Sequence, residues 1–250
     1  MIPKIVHYCW FGGKRKPKLE RKCIKSWKKY LPDYQFKEWN ESNFDLRCNQ
    51  YVQEAYNARR YAFVSDYVRL YALYTEGGVY MDTDVELFAP LDDFLHHRSF
   101  FCFEDNSLVS TGLMASEKRG AFIKEFLDEY VNLHFITDDG SIDLKPNTER
   151  ITSLMQAKGL LLNNTFQDFP DLFSIYPNDY FSPKSWKNGE IYETERTRAI
   201  HHFAGSWLPE NNLSYWERFI EFCRATFHSL LESLNLYDHY IMWRRNKKAK

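Results

Sequence analysis

The stretch Arg69 to Asp84, RLYALYTEGGVYMDTD, constrains what this chain can fold into more than any other. From Arg60 to Thr75 there is no Gly or Pro, and Phe63, Tyr67, Leu70 and Tyr74 recur at helical spacing, which predicts an amphipathic helix. Gly77 or Gly78 can take the left-handed conformation that ends it. Val79, Tyr80 and Met81 then open an apolar run to Phe88 that reads as a strand, with Asp82 at or just past the end of its buried part. Open α/β sheets bind ligands at such carboxyl ends.

Alternate strand residues share a face, so Asp82 and Asp84 are expected to point the same way. Two carboxylates so close repel each other, and a hard divalent cation with an oxygen-rich ligand relieves that repulsion. A calcium loop does not fit, because Asp82, Thr83, Asp84, Val85, Glu86, Leu87 lacks the glycine and the third acidic position. A phosphatase could also place D-x-D after a strand, with Asp82 attacking phosphorus.

The segment Ser65 to Asp84, SDYVRLYALYTEGGVYMDTD, resembles the signature of glycosyltransferase family 32, the capsular polysaccharide and yeast-type mannosyltransferase relatives, and the core of the large clostridial glucosylating toxins. Two further segments agree: IPKIVHYCWFGG, Ile2 to Gly13, resembles the family's first strand, and IHHFAGSW, Ile200 to Trp207, its closing metal-binding motif. The resemblance implies an α/β, GT-A-type nucleotide-sugar-binding fold, a Rossmann-like mixed sheet flanked by helices. It implies a retaining enzyme that uses Mn2+ or Mg2+ and a nucleotide-diphosphate sugar, with a glycan or lipid-linked oligosaccharide as acceptor.

Position by position, Asp84 matches the carboxylate that ligates the metal, and Asp82 the one reaching the ribose and donor sugar beside it. Asp66 and Arg69 match residues that hold the donor sugar; on a helix, residues three apart share a face. Tyr80 matches an aromatic lining the pocket, and Trp10 one that contacts the nucleotide base. His201 and His202 lie in a short apolar run and should face opposite sides, so only one can readily reach the metal. His202, followed by Phe203, Ala204 and Gly205, fits the H-F-x-G pattern of related metal-dependent enzymes, and imidazole suits a third ligand position. Ser206 and Trp207 resemble residues that close over the diphosphate, their hydroxyl and indole N–H serving as donors. The chain departs from the family at Thr111, where many relatives carry an asparagine, and at Lys145 to Thr148, where they often have Gly-Pro.

Further strand-like runs are Lys4 to Phe11, Tyr34 to Trp39, Phe100 to Phe103 and Leu108 to Ala115. Ala121 to Leu133 and Asn147 to Ala157 read as helices, and Leu162 to Asn188 as an irregular region suited to shaping an acceptor pocket. Asn40, after the strand-like YQFKEW, is a turn residue that could help hold the nucleotide. Residues 1–212 are expected to form the catalytic domain. Residues 213–250 are expected to add an amphipathic helix, on which Trp216, Phe219, Cys223, Phe227, Leu230 and Leu234 recur, and a tail of aromatics followed by RRNKKAK.

The 250 residues, 44% hydrophobic and 27% charged, suffice for one large core. Five cysteines without C-x-x-C spacing argue against a zinc module or a disulfide framework and for a reducing cytoplasm. Neither a signal peptide nor an apolar stretch of the ~20 residues a span requires is apparent, which suggests a bacterial cytoplasmic enzyme of capsular or surface polysaccharide synthesis. The basic run Lys14 to Lys29 and the basic tail stand out against a net charge of −1 and could dock the enzyme peripherally on an anionic inner leaflet. No groove-reading motif accompanies them, so nucleic acid is not expected as a partner. Two alternatives remain: a non-catalytic nucleotide-sugar or glycan-binding protein, which intact Asp66, Arg69, Asp82, Asp84 and His202 disfavour, and a toxin-like transferase acting on host protein, which no secretion segment supports.

Overall fold

The computed structural model describes residues 1–205, and Met1–Ala204 form one compact unit. In chain order the elements are β1 (Ile5–Cys9), α1 (Lys18–Tyr30), β2 (Gln35–Trp39), α2 (Gln50–Asn57), α3 (Tyr61–Glu76), β3 (Gly78–Met81), β4 (Val85–Leu87), β5 (Ser99–Phe103), β6 (Val109–Ser116), α4 (Ala121–Asp128), α5 (Asn147–Ala157), β7 (Gln167–Phe169), β8 (Phe173–Tyr176) and β9 (Ala199–His201). Seven strands form one mixed sheet in the order β2-β1-β3-β6-β5-β8-β7, and β4 and β9 form a separate antiparallel ribbon. The α/β class expected from the sequence is the one observed.

Strand β1 is parallel to β2 and β3, and β5 is parallel to β8, while β6 runs antiparallel between β3 and β5. Hence β1, β2, β3, β5 and β8 all end on one edge of the sheet. Both faces are buried, as strand alternation shows: Tyr80, Phe101 and Phe103 enter the core shared with α2 to α5, whereas Val79, Met81, Phe100 and Cys102 enter the one shared with α1 and the β4–β9 ribbon. Helix α1 holds that ribbon by its side chains. Trp27 Nε1 donates to Val85 O at 2.7 Å, and Ser26 Oγ accepts the Leu87 N–H at 2.9 Å, so one edge of β4 is satisfied by α1 and the other by β9.

The two glycines after α3 are required by their geometry. Gly77 has φ +71° and Gly78 φ +117°, and a Cβ on Gly78 would stand 2.5 Å from Ile5 O. Buried His7 pins the turn: Nε2–H donates to Gly77 O at 2.8 Å while Nδ1 accepts from Trp39 Nε1 at 3.1 Å. Burial lowers the pKa of this imidazole and keeps it in that neutral form.

Three expectations are revised. The run from Val79 to Phe88 is not one strand but two, broken at Asp82 to Asp84, where the Val85 N–H donates to Asp82 O at 2.9 Å and closes a turn. The helix begun at Ala121 stops at Asp128, and the chain beyond it turns. The region read as irregular supplies β7 and β8; β8 is only four residues long and lies between Pro170 and Pro177, too short to show a period. Much of the basic run is α1, which buries Cys23 and Trp27 and exposes Lys18, Arg21, Lys25 and Lys28 on the opposite side. Helix α5 spans Asn147–Ala157 as read. Among the described residues no helix is long and apolar enough to cross a membrane. The expected C-terminal helix, basic tail and domain boundary, with Ser206 and Trp207, lie outside the described residues.

Candidate functional site

Helix α3 delivers a guanidinium to the edge of the sheet and surrounds it with acceptors. Arg69 Nη2 stands 2.9 Å from Asp66 Oδ1 and 3.3 Å from Asp82 Oδ1, Nη1 donates to Thr111 O at 2.8 Å, and Nε to Ser65 O at 3.2 Å. Its Cζ lies 4.7 Å from the centre of the Tyr80 ring, whose hydroxyl donates to Asp82 Oδ1 at 2.8 Å. Arg69 is 5% exposed, and although burial opposes its charge, Asp82 and Asp66 raise its pKa further. Asp66 moves the other way from a usual ion-paired carboxylate: burial pushes it up to about 6 against the pull of Arg69. The Asp66 backbone is held too, since its carbonyl accepts from Asn147 Nδ2 at 3.0 Å and the Asn147 amide oxygen accepts from Tyr130.

The turn after β3 carries Asp82 and Asp84 together. Asp82 continues the ladder, its N–H donating to Gly112 O at 2.8 Å, and Asp84 starts the β4–β9 ribbon. A tight turn, not strand alternation, therefore brings the two carboxylates close. Asp84 Oδ1 lies 3.3 Å from His201 Nε2, and its Oδ2 accepts the Ala204 N–H at 2.7 Å. Burial would raise the Asp84 pKa, but His201 and the Ala204 amide outweigh it and hold the carboxyl at about 2. Burial likewise disfavours charge on His201, yet Asp84 and Asp82 lift it to about 9.

Asp82, Asp84 and His201 each offer a ligand atom, and the three atoms lie within 4.8 Å of one another. Two carboxylates and an imidazole are a suitable donor set for Mn2+, and for Mg2+ with more of the shell left to water and phosphate. His201 Nδ1 is buried without a hydrogen-bond partner among the described residues. That unsatisfied atom and the tight carboxylate pair fit a site that gains a cation. The ring sits directly against Gly112, where a Cβ would meet Nδ1 at 2.7 Å, so a glycine is needed for His201 to approach.

The H-F-x-G resemblance picks His202, and the structure places His201 at the carboxylates instead. His202 Nε2 contacts Glu86 Oε2 at 2.9 Å, which also holds Lys22 Nζ at 2.8 Å, and the His202 N–H donates to Asp84 O. Adjacent strand residues face apart, so a single step in register decides which imidazole is presented. Trp10 lies at the carboxyl end of β1, on the same sheet edge; its Nε1 donates to Lys14 O at 2.5 Å, and Lys16 Nζ stands 5.3 Å from its ring centre. Gly112, Asn147 and Glu86 went unread as site residues, since their partners come from elements distant in sequence. Only the family's departures near Thr111 and Lys145 to Thr148 pointed to two of those segments.

A second polar cluster, Asp168, Ser174, His97 and Tyr176, lies at the β8 end of the sheet. Ser174 Oγ donates to Asp168 at 2.6 Å and meets His97 Nδ1 at 2.8 Å, while His97 Nε2 meets the Tyr176 hydroxyl at 2.7 Å. The serine proton is committed to the carboxylate, so the imidazole is not placed to activate it as a nucleophile.

Comparison with known proteins bears on the same segment. Residues 17–101 match the model of the glycosyltransferase sugar-binding region containing a DXD motif. The chain is 29% identical over 133 residues to inositol phosphoceramide mannosyltransferase 3 of Schizosaccharomyces pombe, covering 49% of this chain and 35% of that protein. It thus spans about a third of that curated relative. Among solved structures, PaToxG glycosyltransferase superposes with TM-score 0.47 at 18% identity, covering 63% of this chain and 69% of the other. A glycosyltransferase involved in the glycosylation of the major capsid of PBCV-1 superposes with TM-score 0.47 at 12% identity, covering 88% and 98%.

Proposed function

We propose, from the match of residues 17–101 to the DXD-containing sugar-binding region of glycosyltransferases, that this chain is a metal-dependent transferase on a GT-A-like fold. It moves a sugar from a nucleoside-diphosphate donor to a hydroxyl of a glycan. The observation that carries the reading is the convergence of Asp82, Asp84 and His201 at the carboxyl end of β3, beside the buried Asp66–Arg69 pair.

Asp84 and His201, with Asp82, would hold Mn2+ or Mg2+, which when bound supplies positive charge against the diphosphate that departs from the sugar. Arg69 is fixed at four acceptor atoms and cannot swing, so it and Asp66 form a rigid wall on which donor-sugar hydroxyls are oriented. Asp66, Arg69 and Asp82 are the residues assigned to the reacting sugar. Tyr80 holds Asp82 in place, and Trp10 offers a ring to the base at the β1 end of the same edge. By resemblance, Ser206 and Trp207 close over the diphosphate, and the stereochemistry is retaining.

The family resemblance supports a role in capsular or surface polysaccharide synthesis on the cytoplasmic side, with a lipid-linked oligosaccharide as acceptor. Lys18, Arg21, Lys25 and Lys28 line an exposed face of α1, which suits peripheral contact with an anionic leaflet. Because the Schizosaccharomyces pombe relative is a mannosyltransferase, GDP-mannose is one donor to test beside the UDP-sugars.

The decisive assay follows nucleoside-diphosphate release from UDP-glucose, UDP-galactose, UDP-N-acetylglucosamine and GDP-mannose, with Mn2+ and then with EDTA. Release that needs the metal and is lost in Asp84→Asn supports the reading. Metal-dependent binding without turnover on any donor would instead mark a binding protein.

A further inference from the structure

Glu104 follows β5 as Asp82 follows β3; the two strands run the same way with β6 between them, so both acids stand at the same edge. The Glu104 N–H donates to Leu108 O at 2.8 Å, which fixes its backbone. Every other acid around the cluster has a partner. Asp66 has Arg69, Asp82 has Tyr80 and Arg69, Asp84 has His201 and the Ala204 amide, Glu86 has Lys22 and His202, and Asp105 has Lys187 and Trp186. The Glu104 carboxyl alone makes no hydrogen bond or ion pair among the described residues; it is partly exposed at the sheet edge and lies in the electrostatic field of His201, Asp105, Asp82 and Lys187. A carboxylate at the site's edge that no side chain or backbone donor engages is open to a ligand hydroxyl.

Its place along the edge says which hydroxyl. If the base lies toward Trp10 on β1 and the diphosphate toward the turn after β3, the transfer point falls toward β6, and what approaches from the far side meets β5. We propose that Glu104 accepts a hydrogen bond from the incoming acceptor hydroxyl and orients it toward the donor sugar. Burial pushes this carboxyl up to about 7, so near neutral pH about half of the molecules carry the accepting, ionised form.

The assignment rests on the transferase reading, and its test separates the two. The full chain and Glu104→Gln are compared with Mn2+ and the same four nucleotide sugars, first by thermal shift and then by nucleoside-diphosphate release to water and to p-nitrophenyl glucoside, galactoside and mannoside. The expected result is an unchanged Mn2+-dependent shift in the variant, which also reports that it is folded, with release reduced roughly tenfold or more, as for a lost hydrogen bond to a charged group. Wild-type release by the variant with every acceptor overturns the assignment. So does loss of the metal-dependent shift, which would move Glu104 to the donor side. A wild-type chain that neither shifts nor releases sinks the transferase reading itself, and this assignment with it.

Discussion

Binding of a divalent ion at Asp82, Asp84 and His201 should expel a proton, and the structure sets how strongly. His201 titrates at about 9 because Asp84 and Asp82 outweigh its burial, whereas Asp84, at about 2, has no proton to give. At pH 7 the imidazole is unprotonated in about one molecule in a hundred, so a cation that takes it must overcome on the order of 3 kcal/mol. Apparent Mn2+ affinity at pH 7 is then about a hundredfold below its high-pH limit and tightens nearly tenfold between pH 7 and pH 8. Titration calorimetry at pH 7 in buffers of different ionisation enthalpy counts the protons directly: about one per ion is expected. In His201→Asn the count falls by the proton that His201 supplies and the steep pH dependence over this window is lost, leaving only the smaller share of nearby acids such as Glu104, raised to about 7. Mn2+ binding by the wild type with no proton released would refute the assignment of His201 as a ligand.

The same pair sets the pH dependence of the metal-free protein. The contribution of His201, whose pKa is raised, is complete below about 6.5 and lost as pH rises through about 9; that of Asp84, whose pKa is lowered, is complete above the usual carboxylate value and lost as pH falls through about 2. Melting temperature in EDTA should therefore fall from pH 6.5 to 9 in the wild type and stay flatter in His201→Asn. Arg69→Ala leaves Asp66, largely covered, and the partly exposed Asp82 without their cation and should destabilise by about 1–3 kcal/mol in urea unfolding; no measurable loss would show the pair to be dispensable. Gly112→Ala places a methyl in the His201 ring and should weaken Mn2+ binding by about tenfold to a hundredfold, while Gly140→Ala, whose added methyl meets nothing, leaves binding unchanged. Trp27→Phe removes the donor to Val85 O and should cost about 1–3 kcal/mol, with amide exchange in β4 accelerating first.

How much of this was legible in the sequence follows from the range of each interaction. The helix, its Gly-Gly end and the strand after it could be read because each is fixed by neighbours within a few residues: Asp66 and Arg69 meet across one turn of α3, and Gly77 and Gly78 carry the positive φ angles expected of at least one of them. The break of Val79 to Phe88 into two strands was hidden, because apolar Val85 and Leu87 continue the pattern although β4 leaves the main sheet to pair with β9. The choice of histidine depends on the register of that pairing, with His201 opposite Val85, and a slip of one residue would exchange the two rings. Likewise, Asn147 holds Asp66 and Gly112 admits His201 only through contacts between distant segments, which no local periodicity encodes.

Pulsed electron paramagnetic resonance of the Mn2+-loaded chain, detecting nitrogen coupled to the ion, asks directly whether an imidazole and the D-x-D turn share one cation. The account predicts a nitrogen modulation that is present in the wild type, kept in His202→Asn and abolished in His201→Asn. A modulation lost in His202→Asn but kept in His201→Asn, or none in the wild type, would contradict it.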